Sequence, residues 1–177
     1  MTLQSLAELP FLLRWTLANM LGWGVGMLLG GLLWSLLGGV IGFLLAGALA
    51  GLCVGLAQWP FLSQRRWLWL SALGGGLAIL PAFLAAVTLL GGPLIGFFVV
   101  GAVYGGVFAA MQWVTLRKSD TMGLWILANV AAGGLCGCLT MNVNPLGLPL
   151  FCSIGPVAFG LITGRALVYL REHPEHV

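Results

Sequence analysis

The sequence predicts an all-α integral membrane protein of six transmembrane helices, arranged as three parallel, pseudo-repeated helical hairpins with both ends in the cytoplasm. Of its 177 residues, 60% are apolar and only 6% are charged, too few to cover a water-exposed globular surface. Apolar runs repeatedly exceed the roughly 18 residues that mark a membrane span. The few charges gather in every second gap between those runs. A single transmembrane domain over residues 1–177 follows.

The opening stretch, MTLQSLAELPFLLRW, has no basic lead into a short apolar core and no Ala-x-Ala cleavage site, so it reads as retained rather than as a removed signal peptide. Ser5 and Glu8 have capping-box spacing, and Leu3, Leu6 and Leu9 suit the bilayer surface. Residues 1–12 therefore form an interfacial helix that Pro10 breaks. The spans fall at about 13–34, 37–62, 68–90, 93–116, 124–140 and 148–170, and residues 171–177 make a polar cytoplasmic tail. Turn formers and charges divide them: Gly38-Gly39, Ser63 to Arg66, Gly91-Gly92-Pro93, Arg117 to Gly123, and Asn142 to Pro149. Unbroken apolarity selects helices over strands, because every backbone polar group must be paired within the segment.

With six spans, all seven basic residues, Arg14, Arg65, Arg66, Arg117, Lys118, Arg165 and Arg171, fall on one side, as do Glu8, Asp120, Glu172 and Glu175. Short loops rich in Lys and Arg stay in the cytoplasm, which sets an N-in, C-in orientation in a bacterial inner membrane. Trp15, Trp59, Trp67, Trp69, Trp113 and Trp125 lie beside those charges, and an aromatic belt at headgroup level is the expectation for them. The net charge of +3 suits anionic lipid headgroups and is too small to argue for nucleic acid.

The segment Trp15-Thr-Leu-Ala-Asn19 recurs as Trp69-Leu-Ser-Ala-Leu73 and Trp125-Ile-Leu-Ala-Asn129, while Gly47, Gly51 and Gln58-Trp59 recur as Gly101, Gly105 and Gln112-Trp113. The unit is a hairpin of about 54 residues, over about 13–62, 68–116 and 124–170, with the last span offering only Gly160 and Gly164 and a substituted end. Gly22-Gly26-Gly30, Gly47-Gly51-Gly55, Gly92-Gly96, Gly101-Gly105 and Gly133-Gly137 obey small-xxx-small spacing, the glycine-zipper pattern that lets helix backbones approach closely. Pro81 and Pro156 fall inside spans, where each removes a backbone donor.

Trp-x-x-Ala-Asn-x-x-Gly-Trp near the start, with Gly-rich spans closing on Gln-Trp before a basic loop, resembles a group of uncharacterised glycine-rich multi-pass proteins common in photosynthetic bacteria. The residues that carry the resemblance are Trp15, Ala18, Asn19, Gly22, Trp23, Gln58, Trp59, Gln112 and Trp113. It implies a membrane architecture and no activity. The Pro-x-Asp/Glu-x-x-Lys/Arg signature of mitochondrial carriers, which also have three hairpins, is absent from the sequence.

No ionisable residue falls at mid-span, where one would mark a functional site. His173 and His176 lie in the tail, away from any span, so neither haem nor catalytic zinc is expected, and no base accompanies Ser35, Ser71 or Ser153. A non-enzymatic role follows, with no cofactor assigned. Cys53, Cys136, Cys138 and Cys152 suit helix packing, and a Cys138–Cys152 disulfide is open to the chain. The most specific polar feature is a layer of amides, Asn19, Gln58, Gln112 and Asn129, each about one turn inside a cytoplasmic helix end. It reads as a structural clamp, pairing Asn19 with Gln58 and Gln112 with Asn129, or as the lining of a ligand cavity. Two roles remain: a non-catalytic membrane subunit or assembly factor that packs against other membrane proteins or itself among the lipids, and a small-molecule binding or transport protein such as the substrate-capturing subunit of a vitamin importer. A pigment or lipid carrier ranks behind both.

Overall fold

In hydrocarbon a backbone N–H or C=O has no water to bond, so an unbroken apolar run closes its own ladder as an α-helix. The computed structural model describes the backbone of residues 3–88, 93–116, 122–142 and 148–172, and side-chain surroundings for 10–88, 95–116, 122–139 and 154–172. Six helices account for it: α1 (Leu3–Leu37), α2 (Gly39–Leu62), α3 (Arg65–Thr88), α4 (Pro93–Leu116), α5 (Met122–Asn142) and α6 (Leu148–Glu172). Five stretches among the described residues are long and apolar enough to cross a membrane: Pro10–Leu37, Gly39–Leu62, Arg65–Thr88, Ile95–Leu116 and Met122–Leu139. The helix expected as the sixth span is present as α6; its part with described side chains, residues 154–172, is not among the five.

The break between α1 and α2 is made by Gly38 and Gly39, at φ 61° and 58°, in the left-handed region that side chains rarely adopt. Ser63 takes the same region at φ 53° and donates its N–H to the Trp59 carbonyl, ending α2. Pro93 opens α4, a position where its missing N–H costs nothing. One expectation fails: Pro10 does not end a separate surface helix, because α1 runs through it as one element of 35 residues. A proline forfeits one ladder bond, and the long helix on its C-terminal side continues regardless.

Each helix packs against its neighbours in sequence, and α6 returns to pack against α1, which closes the six into a ring. The pairs are antiparallel. Along α2 and α3, Gly47 meets Gly75 while Gly51 and Gly55 meet Ser71; along α4 and α5, Gly101 meets Gly133 and Gly105 meets Asn129; along α6 and α1, Gly160 meets Thr16 and Gly164 meets Trp15. The start of α1 and the end of α6 thus share one end of the bundle. There the Arg171 guanidinium donates to the Phe61 carbonyl at 3.1 Å and lies 4.8 Å over the Phe11 ring.

The glycines of the stripes at Gly22, Gly47, Gly101 and Gly133 face a neighbouring helix of this chain, while Gly92 lies outside the described residues. A Cβ on Gly22, Gly26 or Gly30 would strike the α2 backbone at Val54, Ala50 and Ala46, and one on Gly51, Gly101, Gly105, Gly133 or Gly137 would run into a carbonyl oxygen of the adjoining helix. Close backbone approach supplies dispersion contacts where lipid and leucine are equally apolar.

Inside the ring two clusters fill the space. Trp15, Trp67, Ala109, Trp125 and Leu167 pack together near the charged end, and Trp23, Val54, Phe108, Ala132 and Phe159 pack farther along. Trp23 on α1 reaches Phe108 on α4 across the ring at a centroid distance of 5.8 Å, with Tyr104 at 5.6 Å and Phe159 at 5.7 Å.

Candidate functional site: the buried amide layer

The polar layer is built on three tryptophans and the residues four positions after them, which share a helix face. On α1, α3 and α5 these are Trp15 and Asn19, Trp67 and Ser71, and Trp125 and Asn129, all at most 1% exposed. Asn19 and Asn129 each donate through Nδ2 to the carbonyl one turn back, Trp15 and Trp125 respectively, both at 2.9 Å. That bond orients each side-chain oxygen into the bundle.

Gln58 is the hub. Its Nε2 donates to Asn19 Oδ1 at 2.9 Å, and its Oε1 accepts from Trp67 Nε1 at 3.0 Å and from Gln112 Nε2 at 3.3 Å. Gln112 Nε2 also donates to Ser71 Oγ at 3.0 Å. One network therefore links α1, α2, α3 and α4. At the α6–α1 seam Trp15 Nε1 donates to Thr163 Oγ1 at 3.0 Å, and that hydroxyl donates to the Phe159 carbonyl at 2.7 Å.

Asn19 pairs with Gln58 as expected, but Gln112 bonds Gln58 and Ser71 instead of Asn129. Ser71 was invisible as a partner, because the sequence comparison set Trp69 beside Trp15 and Trp125, whereas Trp67 is the buried tryptophan of α3. The usable signal was the shared spacing of a tryptophan and a small polar residue four positions on. The aromatic belt is corrected likewise: Trp59 and Trp69 are 41% and 68% exposed and Trp113 is half-buried, while Trp15, Trp67 and Trp125 are core. The Trp15 and Trp67 indoles find acceptors inside the bundle, Thr163 and Gln58, and have no need of the headgroups.

Among the described charges, Arg14, Arg65, Arg66, Arg165 and Arg171 are exposed at the charged end of the bundle; Arg117 and Lys118 lie outside the described residues. The proposed disulfide depends on Cys152, whose side chain also lies outside them, as do His173 and His176. Among the described residues no three His, Cys, Asp or Glu side chains come together as metal ligands. The layer is chemically neutral, able to hold hydrogen-bonding groups and not to carry charge. Outside the ring, an open groove of ≈ 630 Å³ runs between α5 and α6, lined by Leu124, Ala128, Leu161, Ile162, Arg165, Ala166 and Tyr169.

No family model, curated protein or solved structure matches this chain.

Proposed function

We propose that the chain is a non-catalytic membrane subunit or assembly factor that works through its outer, lipid-facing surface, sitting in the membrane as three parallel hairpins with both ends cytoplasmic. The observation that carries this reading is the closed ring: Asn19, Gln58 and Gln112 bond one another inside it and Trp23 meets Phe108 across it, which leaves the outer surface for recognition. The clustering of the described arginines at one end supports the orientation. On α1, Gly24 and Gly31 have nothing within 4 Å of where a Cβ would stand, and they punctuate a face of exposed Leu17, Leu21 and Leu28 that a partner helix could approach closely.

The test is native mass spectrometry of protein extracted gently from its own membrane. Discrete partner proteins at a fixed ratio, lost in Gly24→Leu/Gly31→Leu while thermal stability is kept, are expected. A monomer carrying one defined small molecule at unit stoichiometry would overturn the reading. The groove between α5 and α6 favours a second reading, an amphiphile carrier, since its apolar walls lead to Arg165 and Tyr169 near the charged end.

A further inference from the structure

The network is complete on one side of the ring and open on the other. Along α2 and α3, Gly51 sits against the Ser71 carbonyl; along α4 and α5, Gly105 sits against the Asn129 carbonyl. Gln58 is two turns beyond Gly51 and Gln112 two turns beyond Gly105, while Trp67 and Trp125 are each one turn before the opposing residue. Gln112 is therefore placed toward Trp125 and Asn129 much as Gln58 is placed toward Trp67 and Ser71. Two further contacts hold the groups together: the Trp67 and Trp125 rings pack at a tilt of 60° with centroids 6.0 Å apart, and Gln112 shares the Gln58 acceptor with Trp67.

Yet three atoms in this neighbourhood have no partner in the protein: Gln112 Oε1, Trp125 Nε1 and Asn129 Oδ1. All three side chains are at most 1% exposed. A direct bond from Trp125 to Gln112 would still leave Asn129 Oδ1 without a donor. The residue of α6 that accepts from Trp15 is Thr163, and its single hydroxyl proton is already given to the Phe159 carbonyl. On α1 the corresponding asparagine oxygen is satisfied by Gln58, and among the described residues of α6 nothing replaces that amide donor. Two acceptors and one donor remain, and the neutral molecule that matches them is water, which accepts one hydrogen bond here and donates two.

We propose that the α4–α5 side of the amide layer is a binding site for one water molecule, which accepts from Trp125 Nε1 and donates to Gln112 Oε1 and Asn129 Oδ1. The site completes the layer with a solvent molecule where the other side uses glutamine. It is independent of the subunit reading and of any partner.

The test is water-edited solid-state NMR of full-length protein labelled with ¹⁵N at tryptophan, in bilayers of deuterated lipid, with indole signals assigned by Trp15→Phe, Trp67→Phe and Trp125→Phe. Magnetisation from water is expected to build up on the Trp125 indole several-fold faster than on Trp15 and Trp67, whose protons go to protein acceptors. Build-up on Trp125 as slow as on Trp67 would overturn the proposal and point to a direct bond to Gln112.

Discussion

Gln58 holds three helices through three hydrogen bonds, and its removal leaves Asn19 Oδ1 and Trp67 Nε1 buried with lost partners. Gln58→Leu is therefore expected to lower stability by about 1–3 kcal/mol in denaturation from mild detergent. Trp69→Phe, on the exposed face of α3, should change it by less than about 0.5 kcal/mol. Equal effects would show that the layer is not a clamp. The amides were legible in the sequence because a neutral polar residue inside an apolar run needs a partner. The tryptophans were not, because an indole beside a charged loop suits either a headgroup or a buried acceptor, and only the position of Gln58 and Thr163 decides. Ser71 was hidden by its size and by the nearby Trp69, which offered a false match to Trp15.

Each helix is written plainly in the apolar runs, and the turns at Gly38-Gly39 and Ser63 fall where the left-handed backbone requires them. The glycine stripes were equally plain, but a stripe cannot say what it faces. The structure assigns them inward, and the substitution Gly→Ala should divide accordingly. Gly51→Ala drives a methyl into the Ser71 carbonyl and is expected to cost about 1–3 kcal/mol. Gly31→Ala meets nothing within 4 Å and should be neutral or stabilise by up to about 1 kcal/mol, since alanine is the better helix former. Thermal unfolding of the two variants reads the contrast, and a loss at both positions would mean that α1 also packs through its outer side. Continuity of α1 through Pro10 was not legible, because the local penalty of a proline is visible in sequence and the cooperative ladder around it is not.

Closure of the ring is the property least accessible to sequence. Hydropathy describes each helix by its own residues, whereas the seam between α6 and α1 rests on Thr16 against Gly160 and on Trp15 bonded to Thr163, a pair 148 residues apart. A closed ring is also what directs function to the outer surface in this reading, so the seam is the place to test it. A Cβ on Gly160 would stand 3.2 Å from Thr16 Cβ and 2.7 Å from its Cα, tighter than the roughly 3.5–4.5 Å between the Cβ atoms of a disulfide, so a small parting of the two helices brings the pair to bonding distance. The measurement is oxidation of Thr16→Cys/Gly160→Cys in membranes, with Cys53, Cys136, Cys138 and Cys152 changed to Ser. A closed ring predicts an intramolecular bond, seen as a faster-migrating monomer band that reverts on reduction. Persistence of both free thiols, or cross-linking only between chains, would contradict closure and reopen the interior as a path for ligands.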